Sequence, residues 1–144
     1  MDWSHKTMNS RTILVVEDNI TSQYILRQLL AKFGYRAQIA PSAEEALAAA
    51  SFTRYDAILL DLMLPGMDGF ECAKRLREID KMKDIYTPII ALTAMTDQRE
   101  RCLEVGMDDY LTKPYDIKEL RKMLLRWVYD PFHPNLNVLK EQLT

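Results

Sequence analysis

Five short apolar runs punctuate the chain, and between them hydrophobic residues recur at helical spacing. The runs are Thr12–Val16, Arg36–Ala40, Ala57–Leu60, Pro88–Leu92 and Asp109–Leu111. Within three of them ILVV, AILL and PIIAL are continuously apolar, the pattern of strands buried on both faces. After the first run, Ile25, Leu26, Leu29, Leu30 and Phe33 form a helical stripe that Gly34 ends. Ser42 is placed to N-cap a second, alanine-rich helix, with Glu44 and Glu45 at its positive end. Phe70, Ala73, Leu76 and Ile79 mark a third helix. Arg99 to Val105 reads as a short fourth that stops at Gly106, and Ile117, Leu120, Leu124 and Trp127 as a fifth.

Strict alternation of strand and helix predicts an α/β fold, a parallel sheet covered by helices on both faces and joined by right-handed crossovers. In such sheets ligands sit beyond the carboxyl ends of the strands, where strand order reverses. Polar residues gather at those ends. Glu17-Asp18-Asn19 follow the first strand, Asp61 the third, Thr93-Ala94 the fourth and Lys113-Pro114 the fifth. An ionised group beside a dry core costs free energy unless something pairs with it. Asp61, set between AILL and LML, is therefore either a strand-end cap or part of a site. Four polar sets on one edge make a site.

Length and composition narrow the setting. With 144 residues, 48% hydrophobic and 28% charged, the chain suits one globular domain with a real core. A net charge of -2 gives no reason to expect nucleic acid or an anionic membrane. No apolar run approaches the ~20 residues of a membrane span, and MDWSHKTMNSRT lacks the apolar middle of a signal peptide. Cys72 and Cys102 have no metal-ligand spacing and read as small semi-buried hydrophobes, which fits a reducing cytoplasm. His5 and His133 form no cluster, and Lys118, Arg121, Lys122 and Arg126 read as a solvated helix face.

Three carboxylates brought within ~5 Å repel by about 3 kcal/mol per pair at an effective dielectric near 20, so a cation belongs among them. Oxygen ligands suit Mg²⁺ better than zinc. A carboxylate beside Mg²⁺ and a lysine ammonium is equipped as a nucleophile toward a phosphoryl group, with a threonine hydroxyl free to donate to it.

In ILVVEDN, DLMLPGMDG, IIALTA and GMDDYLTKP, taken in that order from about Thr12 to Val128, the sequence resembles response-regulator receiver domains of two-component signalling. It is most like receivers of hybrid sensor kinases and phosphorelays. The resemblance implies a flavodoxin-like five-stranded sheet of order 2-1-3-4-5 with five helices. Asp61 would be the phosphoacceptor. Glu17 and Asp18 would hold Mg²⁺ with Asp61 and the Met63 carbonyl, the glutamate acting through water. Thr93 would be the switch hydroxyl and Tyr110 the aromatic switch, while Lys113 would contact the phosphoryl group from a cis bond to Pro114. The implied partner is a histidine kinase or histidine phosphotransfer domain, meeting Ile20 and Tyr24 on the first helix and the loop at Pro114 and Tyr115. Met63 and Met95 would set the lifetime of the acyl phosphate.

By that resemblance the domain catalyses only its own phosphorylation and dephosphorylation. A phosphatase of the haloacid-dehalogenase type would need a second aspartate where Met63 stands. The alternative is a docking module that is not phosphorylated, though such modules typically lack the acceptor, the acidic pair or the lysine. The expected organisation is a tail over residues 1–11, the receiver over 12–128 and a linker with a short helix over 129–144. The last rests on Pro131, Pro134 and the spacing of Leu136, Leu139 and Leu143.

Overall fold

The computed structural model describes residues 11–128. Five strands and five helices alternate: β1 (Arg11–Val16), α1 (Ile20–Lys32), β2 (Tyr35–Ala40), α2 (Ala43–Phe52), β3 (Ala57–Asp61), α3 (Gly69–Lys83), β4 (Ile89–Thr93), α4 (Arg99–Glu104), β5 (Asp109–Thr112) and α5 (Ile117–Trp127). The sheet is parallel throughout, in the order β2-β1-β3-β4-β5. Strand order thus reverses between β1 and β3, which places the expected ligand crevice at Glu17, Asp18 and Asp61.

The apolar runs explain the layering. β3 and β4 are buried at every residue, whereas the edge strand β2, YRAQIA, alternates between exposed and partly buried positions. Because side chains alternate across a strand, the sheet feeds two cores. Leu14, Val16, Ile58 and Leu60 pack with Ala46, Phe70, Ala73 and Leu76, on the side of α2, α3 and α4. Ile13, Val15, Leu59 and Ile90 pack with Leu26, Leu30, Leu120 and Leu124 of α1 and α5. Cys72 and Cys102 are free and fully buried, more so than their semi-buried expectation, and burial pushes the Cys72 thiol up to about 12.

Several expectations need correction. Ile25 is 48% exposed and Ile117 52% exposed, so neither belongs to the core stripe of its helix. Adjacent positions on a helix point about 100° apart, and Leu26 takes the inward direction that Ile25 was given. Arg11 opens β1 instead of closing a tail. Arg126 leaves the solvated face to pair with buried Asp109. The tail positions His5, His133, Leu136, Leu139 and Leu143 lie outside the described residues. Ser42 does cap α2, accepting the Glu45 N–H at 3.1 Å.

At the edge opposite the strand carboxyl ends, Arg77 of α3 bolts three segments together. Its guanidinium donates to the Gly106 and Thr87 carbonyls at 2.7 and 2.6 Å and to Asp108 and Asp80 at 2.7 and 3.0 Å. Among the described residues no helix is long and apolar enough to cross a membrane.

Candidate functional site

β1 and β3 are hydrogen-bonded neighbours with Val16 paired to Leu60, so the residues that follow each strand emerge side by side. One carboxylate oxygen each from Glu17, Asp18 and Asp61 lies within 4.8 Å of the others. Glu17 and Asp61 are buried, Asp61 to 7%, while Asp18 faces solvent. The turn that carries Asp18 is clamped on both sides. Glu17 donates its N–H to the Ala40 carbonyl at 3.1 Å, and its own carbonyl accepts from the Gln23 amide at 2.8 Å. Its Oε2 accepts the Asn19 N–H at 3.1 Å, and Asn19 caps α1 by accepting the Ser22 N–H at 2.9 Å.

Lys113 closes the cluster from the end of β5. Its Nζ donates to Glu17 Oε1 at 3.0 Å and to Asp61 Oδ2 at 3.2 Å. Burial pushes the Glu17 carboxyl above its ordinary range, and the hydrogen bonds from Asn19 and Lys113 offset this only in part. For Lys113 burial works toward a lower value, but the bond to Glu17 and the charge of Asp61 outweigh it and hold the ammonium above its usual range. The Lys113–Pro114 peptide bond is cis, as the resemblance implied.

The loop after β3 is built to let α3 begin against the strand end. Asp61 Oδ1 accepts the Met63 N–H at 2.9 Å, and Gly66 turns the chain at φ +80°. Asp68 caps α3 by accepting the Glu71 N–H at 2.8 Å. At Gly69 a Cβ would lie 2.6 Å from the Leu62 Cα, so a side chain there would force the helix away from the loop after β3. Met63 is exposed.

Thr93 ends β4, one residue beyond the Leu92 that pairs with Asp61. It is fully buried, and its Oγ1 accepts the Met95 N–H at 3.0 Å. The Tyr110 hydroxyl donates to the Met95 carbonyl, linking β5 to the loop that follows Thr93. Ile20 and Tyr24 are exposed on α1. An open cavity of about 420 Å³ runs from Glu17 and Lys113 between Ile25 and Leu29 of α1 and Pro114, Tyr115 and Ile117; Ile20 and Tyr24 do not line it.

The fold therefore brings Glu17, Asp18, Asp61 and Lys113 into one cluster and sets Thr93 on the adjoining strand, with Tyr110 tied to its loop. Sequence reasoning missed Gln23 as the partner of the Glu17 carbonyl and Asp109 as a buried carboxylate. The N-cap role of Asn19 was missed as well, although an asparagine directly before a helical stripe is the signal that could have found it; nothing in the sequence marks Gln23.

A family model, the response regulator receiver domain, matches residues 13–125. The chain is 44% identical over 117 residues to the hybrid signal transduction protein dokA of Dictyostelium discoideum, covering 81% of this chain and 7% of that protein. It spans about half the length of other curated relatives that it matches. Among solved structures, the receiver domain of sensor histidine kinase PA1611 from Pseudomonas aeruginosa PAO1 has a magnesium ion coordinated in its active site cleft. It is 40% identical with a TM-score of 0.72, over 82% of this chain and 97% of that one. A chain in the Saccharomyces cerevisiae co-crystal of the histidine phosphotransfer protein Ypd1 with the Ssk1 receiver domain is 32% identical. Its TM-score is 0.77, over 83% of this chain and 90% of that one.

Proposed function

The chain belongs to the response regulator receiver domain family of two-component systems, and we propose that Asp61 is its phosphoacceptor. One observation carries this reading. The Asp61 carboxylate is buried, holds Lys113 on one oxygen and the Met63 N–H on the other, and shares its surroundings with Glu17 and Asp18. Asp61 attacks the phosphorus of a phosphohistidine in line. A P–O bond forms as the P–N bond breaks, and the imidazole leaves as the phosphoryl group becomes an acyl phosphate. The Lys113 ammonium, already oriented by two carboxylates, neutralises a phosphoryl oxygen, and the Thr93 hydroxyl donates to another. Tyr110 follows the Thr93 loop through its bond to Met95.

The donor set fits Mg²⁺: all oxygen, two carboxylates buried and one open to solvent, as suits an ion that keeps several waters. Asp18, Asp61 and the Met63 carbonyl would hold it, with Glu17 acting through water. When bound, the ion supplies charge neutralisation at the phosphoryl oxygens. The magnesium in the PA1611 receiver supports this assignment.

The partner is a histidine kinase or histidine phosphotransfer domain that docks on Ile20, Tyr24, Pro114 and Tyr115, a reading supported by the Ypd1–Ssk1 co-crystal. The likeness to dokA favours a relay receiver of the hybrid-kinase type, and the chain's two free, buried cysteines suit work in a reducing cytoplasm. Asp61→Asn tests the central assignment, because an amide is not a nucleophile for this attack. The variant should take up no acid-labile phosphate from a small phosphodonor or a phosphorylated kinase; uptake at the parent rate overturns it.

A further inference from the structure

Met63 stands two residues beyond the buried Asp61 and is 59% exposed. Its backbone N–H donates to Asp61 Oδ1 at 2.9 Å, so the main chain fixes this residue against the carboxylate while the side chain is open to solvent. A methionine side chain has three rotatable bonds. The thioether can therefore swing toward Asp61 without breaking the bond that anchors its own backbone.

The other described sulfurs are shielded or remote. Met107 is buried, and Met67, Met95 and Met123 are half-buried. Cys72 and Cys102 are fully buried, and burial pushes both thiols up, that of Cys72 to about 12. Oxidants attack the thiolate, so cysteines held protonated and out of solvent are poor targets. Met82 is 87% exposed, but it lies in the last turn of α3, a helix that begins at Gly69 beside the strand end. The helical rise carries it about 20 Å from that end. Among the described residues, Met63 is the sulfur that is both open to an oxidant and fastened to Asp61.

We propose that Met63 is a modification site, whose thioether is converted to the sulfoxide by a peroxide and which in that form shortens the life of the acyl phosphate on Asp61. The proposal rests on the reading of Asp61 given above. The sulfur lone pair attacks one oxygen of hydrogen peroxide. An S–O bond forms as the O–O bond breaks, the sulfur loses two electrons, and the departing hydroxide takes the proton of the transferred oxygen and leaves as water. A thioether accepts hydrogen bonds only weakly. The sulfoxide oxygen is polar and accepts strongly, so it holds a water beside the phosphoryl group where the thioether holds none. Because the side chain lies outside the core, this change leaves the packing intact, which oxidation of buried Met107 would not. Sulfoxide reductases, one for each epimer, reverse it.

The test exposes the full chain to dilute hydrogen peroxide, removes the excess with catalase, and maps the added oxygen to individual methionines by peptide mass spectrometry. The chain is then labelled with a small phosphodonor and Mg²⁺, and decay of the label is followed by timed quenching. Met63 should gain oxygen before Met107 does, the label should decay at least threefold faster (about 0.7 kcal/mol off the barrier to hydrolysis), and the thermal midpoint should hold. Treatment with the two sulfoxide reductases should restore the parent decay. Met63→Leu keeps the other methionines, so whatever its own decay rate, peroxide should leave that rate unchanged. Met63 still reduced when Met82 is oxidised overturns the proposal, as does an unchanged decay with Met63 oxidised. An equal response to peroxide in Met63→Leu, or a fall in thermal midpoint that accompanies the faster decay, overturns it too. Failure of the untreated chain to take up label overturns instead the reading of Asp61, and the proposal with it.

Discussion

Lys113→Met removes a charge from the centre of the site while keeping most of the apolar stem. In the parent, the ammonium lies 3.0 Å from Glu17 and 3.2 Å from Asp61, with the two acidic side chains 3% and 9% exposed. Without it, carboxylates within 4.8 Å of one another face each other with no protein cation between them. Each such pair repels by about 3 kcal/mol at an effective dielectric near 20. Breaking a buried ion pair by removing one partner costs about 3–5 kcal/mol. Lys113 is itself 26% exposed, and water reaching its ammonium screens part of this. The expected loss is about 2–3 kcal/mol, or roughly 8–12 °C in thermal midpoint for a chain of this size. Urea unfolding in chelator measures it. Millimolar Mg²⁺ should then stabilise Lys113→Met more than the parent, because an ion that binds only the folded state restores the missing positive charge. Sodium at equal ionic strength should not. A variant as stable as the parent in chelator, or one with the parent's response to Mg²⁺, refutes the reasoning.

Ile20 is exposed beside the acidic cluster, and Ile20→Glu should slow phosphotransfer from a partner while leaving phosphorylation by a small donor intact; loss of both would assign it to the fold. Met63→Asn combined with Met95→Glu should shorten the life of the acyl phosphate, because the thioethers hold no water by strong hydrogen bonds and the new side chains can. Pulse-labelling followed by timed quenching reads that lifetime, and an unchanged decay counts against the role given to the methionines. Arg77→Lys cannot reproduce a planar fork that reaches two carbonyls and two carboxylates, so stability should fall by about 2–3 kcal/mol in urea unfolding. A loss under about 1 kcal/mol would mean that the remaining partners of Asp80 and Asp108 suffice.

Local pattern determined most of this protein. Continuous apolar runs marked β3 and β4, helical spacing marked the helices, and the polar residues at the strand ends named Glu17, Asp18, Asp61, Thr93 and Lys113 before any geometry was known. Those features are legible because each is a property of neighbouring residues: a period, a cap, a carboxylate breaking an apolar run. The sequence could not decide which of Ile25 and Leu26 faces the sheet, since the stripe allowed both and the docking of α1 chose Leu26. It could not show that Gly69 lies against the Leu62 backbone, since that approach depends on how α3 starts against the end of β3. Nor could it foresee Arg77 meeting Asp108, or Trp127 meeting Asp109, across 31 and 18 positions. A buried charge finds whichever donor the fold delivers to it, and that delivery depends on how layers pack rather than on which residues are adjacent in the chain.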